Sequence, residues 1–222
     1  MPAVTLLLAS ASPARLTTLR AAGVEPVVQV SSVDEDAALD EAEETHGPLA
    51  PADVALLLAR AKADDVVAAL DAAPGADASR TDLVLGCDSV LELDTEVHGK
   101  PADASEARAR WRRMRGRSGV LHTGHWLVDR RDGASGGSGG LVGATASTTV
   151  HFADLTDEEI DAYVATGEPL RVAGAFTIDG LGGPYVAGIE GDPSTVVGVS
   201  LPLLRDLTAE LGIRWHDLRG PA

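Results

Sequence analysis

The sequence predicts an α/β fold, a mixed twisted sheet with flanking helices. Three observations predict it. Short apolar runs alternate with segments of helical period along most of the 222 residues. The first apolar run ends directly on a helix-start signal, which makes a strand–turn–helix unit. No repeat and no shift in composition divides the chain, so residues 1–222 are expected to form one domain.

In chain order, Val4–Ala9 reads as a strand, short, apolar and buried on both faces. Ser12 suits an N-cap and Pro13 the first helical position; Leu16, Leu19 and Arg20 follow at helical spacing until Gly23 stops the helix. Pro26–Val33 reads as a second strand, and the acidic "DEDAALDEAEE" after it as a solvated loop or helix edge. Pro51–Ala72 is the clearest helix, with Val54, Leu57, Leu58 and Ala61 in a stripe. "PGADASRTD" reads as a linker, and Leu83–Leu93 as a strand with a Gly-Cys-Asp-Ser interruption. Ala104–Arg115 reads as a basic amphipathic helix carrying Trp111 and Met114. His122–Val128 and Ala144–Phe152 read as paired strands, joined by a flexible Gly/Ser-rich loop at about 131–142. Thr156–Ala165 is expected to be a helix with Asp157, Glu158 and Glu159 at the favourable end of its dipole, and Leu201–Leu211 the last helix.

The formal charge is −16, from 34 acidic and 18 basic side chains. That balance argues against a nucleic-acid or anionic-membrane surface, which needs a broad basic field. It leaves room for a small anionic ligand, held by a few cations in one cleft with a divalent metal. Aromatics at 3% imply a core built mostly from Ala, Val and Leu. There is no apolar run long enough to span a membrane. The opening "MPAVTLLLASA" lacks a basic n-region, so a signal peptide is not expected. The single cysteine, Cys87, excludes internal disulfides and fits a reducing cytoplasm.

Four features could carry chemistry. At the opening junction a buried strand meets a capped helix, whose free amides make an anion site; Ser10 and Ser12 add hydroxyls and Arg15 a planar fork. The bland alternative is a plain cap with Arg15 in water. Lys62 shares a helical stripe with Ala55, Leu58, Val66 and Ala69, so it must snorkel or meet an anion. Asp88 is a carboxylate delivered into an apolar strand, where a charge is costly unless paired or metal-bound; otherwise Asp88-Ser89 is an ordinary bulge. In "HGKP" a glycine allows close backbone approach and Lys100 follows, but the spacing is not that of a Walker loop.

Two patterns are set aside. "GASGG" around Ser135 matches G-x-S-x-G, but it lies in a Gly/Ser linker rather than at a strand-to-helix turn. His122 and His125 are three apart in a strand, where they face opposite sides, and no Cys/His set completes a zinc site. They read as unremarkable polar positions.

In order along the chain, "LASASPARLTTLRAAG", "SSVDED", "LARAKADDV", "VLGCDSV", "GKP", "TVHFADLTDEEIDAYVATGEP", "AGAFTIDGLGG" and "IEGDPSTVVG" resemble the Maf family of nucleoside triphosphate pyrophosphatases, also called septum-formation inhibitor-like proteins. The likeness runs from about Thr5 to Leu211. It implies two lobes around a central groove, as in the related inosine triphosphate pyrophosphatases, and a homodimer. It also implies hydrolysis of the α–β anhydride of a nucleoside triphosphate to monophosphate and pyrophosphate, with Mg²⁺ or Mn²⁺. On that resemblance Ser10, Ser12, Arg15, Lys62 and Lys100 would hold the phosphates. Glu35 and Asp88 would take the metal, and Asp88 would also orient or deprotonate the attacking water, a role that sequence cannot separate from metal binding.

Specificity does not transfer. Family members acting on dTTP and UTP carry Arg, Thr and Gln where this chain has Ala14, Ser89 and Asp179, and a lysine where it has Val172. The branch acting on 7-methyl-GTP has a tryptophan at Ala14. Ala14 would open the base pocket, and Asp179 would favour base-edge donors such as an amino group. "VVGVSLPLL" carries one residue more than the family's usual stretch, near Ser200. The competing expectation is a nucleotide-binding regulator of cell division with little catalysis.

Overall fold

The computed structural model describes residues 4–72 and 81–219. Residues 74–80 of the expected linker lie outside these. One mixed seven-stranded sheet organises the fold, in the order β2-β1-β3-β5-β6-β7, with β4 beside β3. The strands are β1 (Leu6–Ala9), β2 (Val27–Val28), β3 (Leu83–Leu93), β4 (Glu96–His98), β5 (Ser118–Asp129), β6 (Leu141–Phe152) and β7 (Val186–Glu190). The helices are α1 (Pro13–Ala21), α2 (Glu35–His46), α3 (Pro51–Ala72), α4 (Ala104–Met114), α5 (Asp157–Ala165), α6 (Pro193–Val197) and α7 (Leu201–Glu210). β1 is parallel to β2 and β3; the other pairs are antiparallel.

The register of β3 creates an opening. Leu83–Gly86 pair with β1 and Leu91–Leu93 with β4, so between them Cys87–Val90 meet no strand on that edge. In open α/β sheets, ligands bind beyond the carboxyl ends of parallel strands, and β1 ends here. Glycine lets α3 lie directly on the sheet. A Cβ on Gly86 would fall 2.0 Å from the Ala59 carbonyl oxygen, and one on Gly124 would fall 2.2 Å from that of Ala55.

Leu6, Leu8, Leu85 and Cys87 pack on one face against Leu204 and Leu207 of α7. Leu7 and Val84 pack on the other against Ala63 and Val66 of α3. These clusters are mostly Leu, Val and Ala, as the composition implies. The third cluster differs: Trp111, Phe152, Tyr163 and Phe176 gather under α4 and α5, with Trp111 edge-on to Phe152 at 5.7 Å.

Three expectations are corrected. The second strand shrinks to Val27–Val28 at the sheet edge, because Ser32 turns away to bond Asp65. The acidic stretch is the helix α2, capped by Asp34, which accepts from the Ala37 amide, and ended by Gly47 at φ 80°. Glu35 and Asp36 sit in its first turn, where the dipole favours acids. β3 runs unbroken through Gly-Cys-Asp-Ser, its register with β5 continuous from Leu83 to Glu92. The Gly/Ser-rich segment joins β5 to β6 and is tied back through Asp129, which accepts from Arg131 and Ser138. Among the described residues, no helix is long and apolar enough to cross a membrane.

Candidate active site

The opening beside Cys87–Val90 is lined from three directions. β3 presents Asp88, buried to 8% exposure. α3 presents Lys62 from the face that Gly86 brings close, and α2 presents Glu35 from its first position. Lys62 Nζ lies 2.5 Å from Asp88 Oδ1 and 2.8 Å from Glu35 Oε1. So the lysine of the apolar stripe does not snorkel. It bridges a buried carboxylate and a half-exposed one. A buried charge is tolerated on such terms, because each ion has a partner in bonding distance.

Burial pushes the Asp88 carboxyl above its ordinary range, while Lys62 and Arg15 pull it back. Its Oδ2 accepts no hydrogen bond among the described residues. That leaves one oxygen held by a cation and one open to take a proton.

Arg15 enters from the other side, out of the first turn of α1. Ser12 caps that helix, accepting from the Arg15 amide at 3.4 Å, and Pro13 follows as expected. The Arg15 guanidinium is buried and its nitrogens are occupied. Nε donates to the Gly198 carbonyl at 2.7 Å, Nη1 to Ser10 Oγ at 2.9 Å and Nη2 to Ser89 Oγ at 3.0 Å. Each Nη keeps one further N–H, since guanidinium carries five. The Ala14 amide has no acceptor among the described residues. Ser10, Ser12, Arg15 and Ser89 therefore form one bonded group of the constellation and Glu35, Lys62 and Asp88 another; they meet at the consecutive β3 residues Asp88 and Ser89, where the charge of Arg15 acts on Asp88.

Three expected residues do not join this constellation. Lys100 is exposed beyond β4 and makes no ion pair among the described residues. Asp179 is exposed in the bend after Phe176, and Ala14 is half-buried on α1. No bond ties either side chain to the constellation. Ser135 sits in a 3₁₀ turn capped by Asp132, not at a strained elbow, so the hydrolase pattern stays set aside.

The histidines are not unremarkable, contrary to expectation. His122 is buried and bonds Ser147 and Glu92. His125 is fully buried, and its Nε2 accepts from the Ser200 amide at 2.8 Å. An amide can only donate, so Nδ1 carries the proton and donates to the Thr123 carbonyl at 3.0 Å. Burial, helped by Arg15, lowers the His125 pKa to about 4, so the ring is neutral at physiological pH. Cys87 is equally buried, its thiol pushed up to about 12 by desolvation, and is inert.

Among the described residues, no cluster of three or more His, Cys, Asp or Glu side chains could cage a metal. Two carboxylates alone suit Mg²⁺ or Mn²⁺, hard cations that keep waters and take the remaining oxygens from a polyphosphate.

The sequence profile described as Maf-like protein matches residues 5–211. A protein of Leifsonia xyli subsp. xyli is 57% identical over 213 residues, 96% of this chain and 95% of its own. One of Salinispora tropica is 60% identical over 209 residues, 94% of this chain and 84% of its own. One of Streptomyces coelicolor is 54% identical over 217 residues, 98% and 95% of the two chains. All three are named nucleoside triphosphate pyrophosphatase.

Proposed function

Because the chain belongs to the Maf-like protein family, we propose that it hydrolyses nucleoside triphosphates to nucleoside monophosphate and pyrophosphate. The observation that carries the reading is the Glu35–Lys62–Asp88 bridge at the open end of β1. It joins a cation for phosphate oxygens to a carboxylate that can serve as a base.

The polyphosphate enters between α1 and α3. Lys62, the spare N–H groups of Arg15, the Ala14 amide and the Ser10 and Ser12 hydroxyls bind its oxygens, and Lys100 joins from the rim. Each charge-assisted bond of this kind contributes about 1.5–3 kcal/mol. Glu35 and Asp88 would hold Mg²⁺ or Mn²⁺, which when bound neutralises the phosphate charge. Asp88 Oδ2 takes the proton of a water whose oxygen bonds to phosphorus at the α–β anhydride. That P–O–P bond breaks, and the proton passes from Asp88 to solvent. The raised Asp88 pKa favours this, since a base works best with a pKa near the working pH. Ala14 and Asp179 would set the choice of base. A homodimer in the reducing cytoplasm is part of the same proposal, the second point supported by a single, buried cysteine.

The test is chromatography of products from a panel of canonical and modified triphosphates, with Mg²⁺, Mn²⁺ or chelator. Monophosphate and pyrophosphate are expected, and only with metal. Diphosphate and orthophosphate would reject the proposed bond.

A further inference from the structure

Behind the constellation lies a hydrogen-bonded chain whose direction is fixed. Thr123 Oγ1 donates to the Thr195 carbonyl at 2.8 Å, and a carbonyl can only accept. The threonine hydroxyl has one proton, so its contact with Ser89 Oγ at 2.9 Å must be donated by Ser89. The serine proton is then spent, and its lone pair faces Arg15 Nη2 at 3.0 Å. The backbone closes the circuit. The Thr123 carbonyl accepts from His125, His125 accepts from the Ser200 amide, and two residues earlier the Gly198 carbonyl accepts from Arg15 Nε. Thr123, His125 and Thr195 are all fully buried.

We propose that Thr123 is a positioning residue for Arg15, acting through Ser89, so that the guanidinium keeps its two spare N–H groups toward the substrate opening. The proposal rests on the reading of Arg15 as a phosphate-binding group. The geometry supports it because no other hydroxyl polarity satisfies all the partners. Breaking the chain at Thr123 removes the acceptor that fixes the Ser89 hydroxyl rotor, so its lone pair is no longer held toward Arg15.

The experiment compares Thr123→Val and Thr123→Ser, each alone and with Arg15→Lys. It reads kcat and KM for pyrophosphate release and the Arg15 guanidinium Nη2–H resonance by NMR. Thr123→Val is expected to raise KM about tenfold, the scale of one lost bond to a charged group, with kcat less affected. The Nη2–H signal, the one bonded to Ser89, should lose its protection from exchange. Thr123→Ser should recover both readouts, and Thr123→Val should add nothing on top of Arg15→Lys. Ser89→Ala cuts the same chain and stands in if Thr123→Val does not fold. An unchanged Nη2–H signal in the valine or alanine variant overturns the proposal, as does an equal KM effect in both Arg15 backgrounds. Loss of Nη2–H protection in a protein whose wild type binds and cleaves no triphosphate would instead sink the reading of the site and leave the positioning role standing.

Discussion

Asp88 sits where burial and two cations pull its carboxyl in opposite directions, and burial wins. The Asp88 limb in a carboxyl NMR titration of the metal-free protein is therefore expected above the ordinary carboxylate range, the base being lost as pH falls through it. Lys62→Met removes a cation that favours the ionised form, so the limb should move to higher pH; a shift to lower pH would contradict the assignment. Asp88, Lys62 and Glu35 were legible in sequence for different reasons. Two break an apolar pattern, a carboxylate in a strand and a lysine in a helical stripe, and burial of an unpaired charge is too costly to be accidental. Glu35 was found only through the family resemblance, since it hides among other acids. Thr123 and His125 were not legible. A polar residue on a strand does not announce what covers it, and their cover, Thr195 and Ser200, lies more than seventy residues on.

At the scale of elements, the long strands and helices could be read because each holds one period over many residues. β4, β7 and α6 could not: α6 has 5 residues, and β7 also has 5 with a glycine inside. α2 reads in sequence as a loop or helix edge, since it buries no residue fully and no apolar stripe marks it. Its helix rests on the Asp34 cap, the dipole and the packing of Ala38 and Leu39 against the cluster of Val54 and Leu58. The contact of α3 with β3 rests on Gly86. Gly86→Ala is expected to destabilise the fold by about 1–3 kcal/mol, the cost of overpacking, and to raise KM as Lys62 moves from Asp88. An unchanged melting temperature would contradict this. His125 links the α6–α7 joint to β5, and its pKa of about 4 lies below the 6.5 of the free side chain. Unfolding lets it bind a proton between those values. Stability is thus whole above about pH 6.5 and falls as pH drops toward 4. His125→Gln should flatten that slope in a denaturation series; an identical slope would remove His125 as its source.

Over the whole molecule, 34 acidic side chains outnumber 18 basic ones, and two of the cations, Lys62 and Arg15, are buried beside Asp88. Most arginines on the described surface are spent on carboxylates, as Arg113 and Arg117 are on Asp94, so positive charge is focused rather than spread. That arrangement favours a small, metal-chelated anion over a nucleic acid. On this reading the Asp88 carboxylate performs the hydrolysis. The measurement that tests it most directly is steady-state pyrophosphate release by wild type and Asp88→Asn, on the best triphosphate with Mg²⁺, both proteins shown folded by their melting curves. The account predicts a fall in kcat of at least about 10²; equal turnover by the two proteins would contradict it.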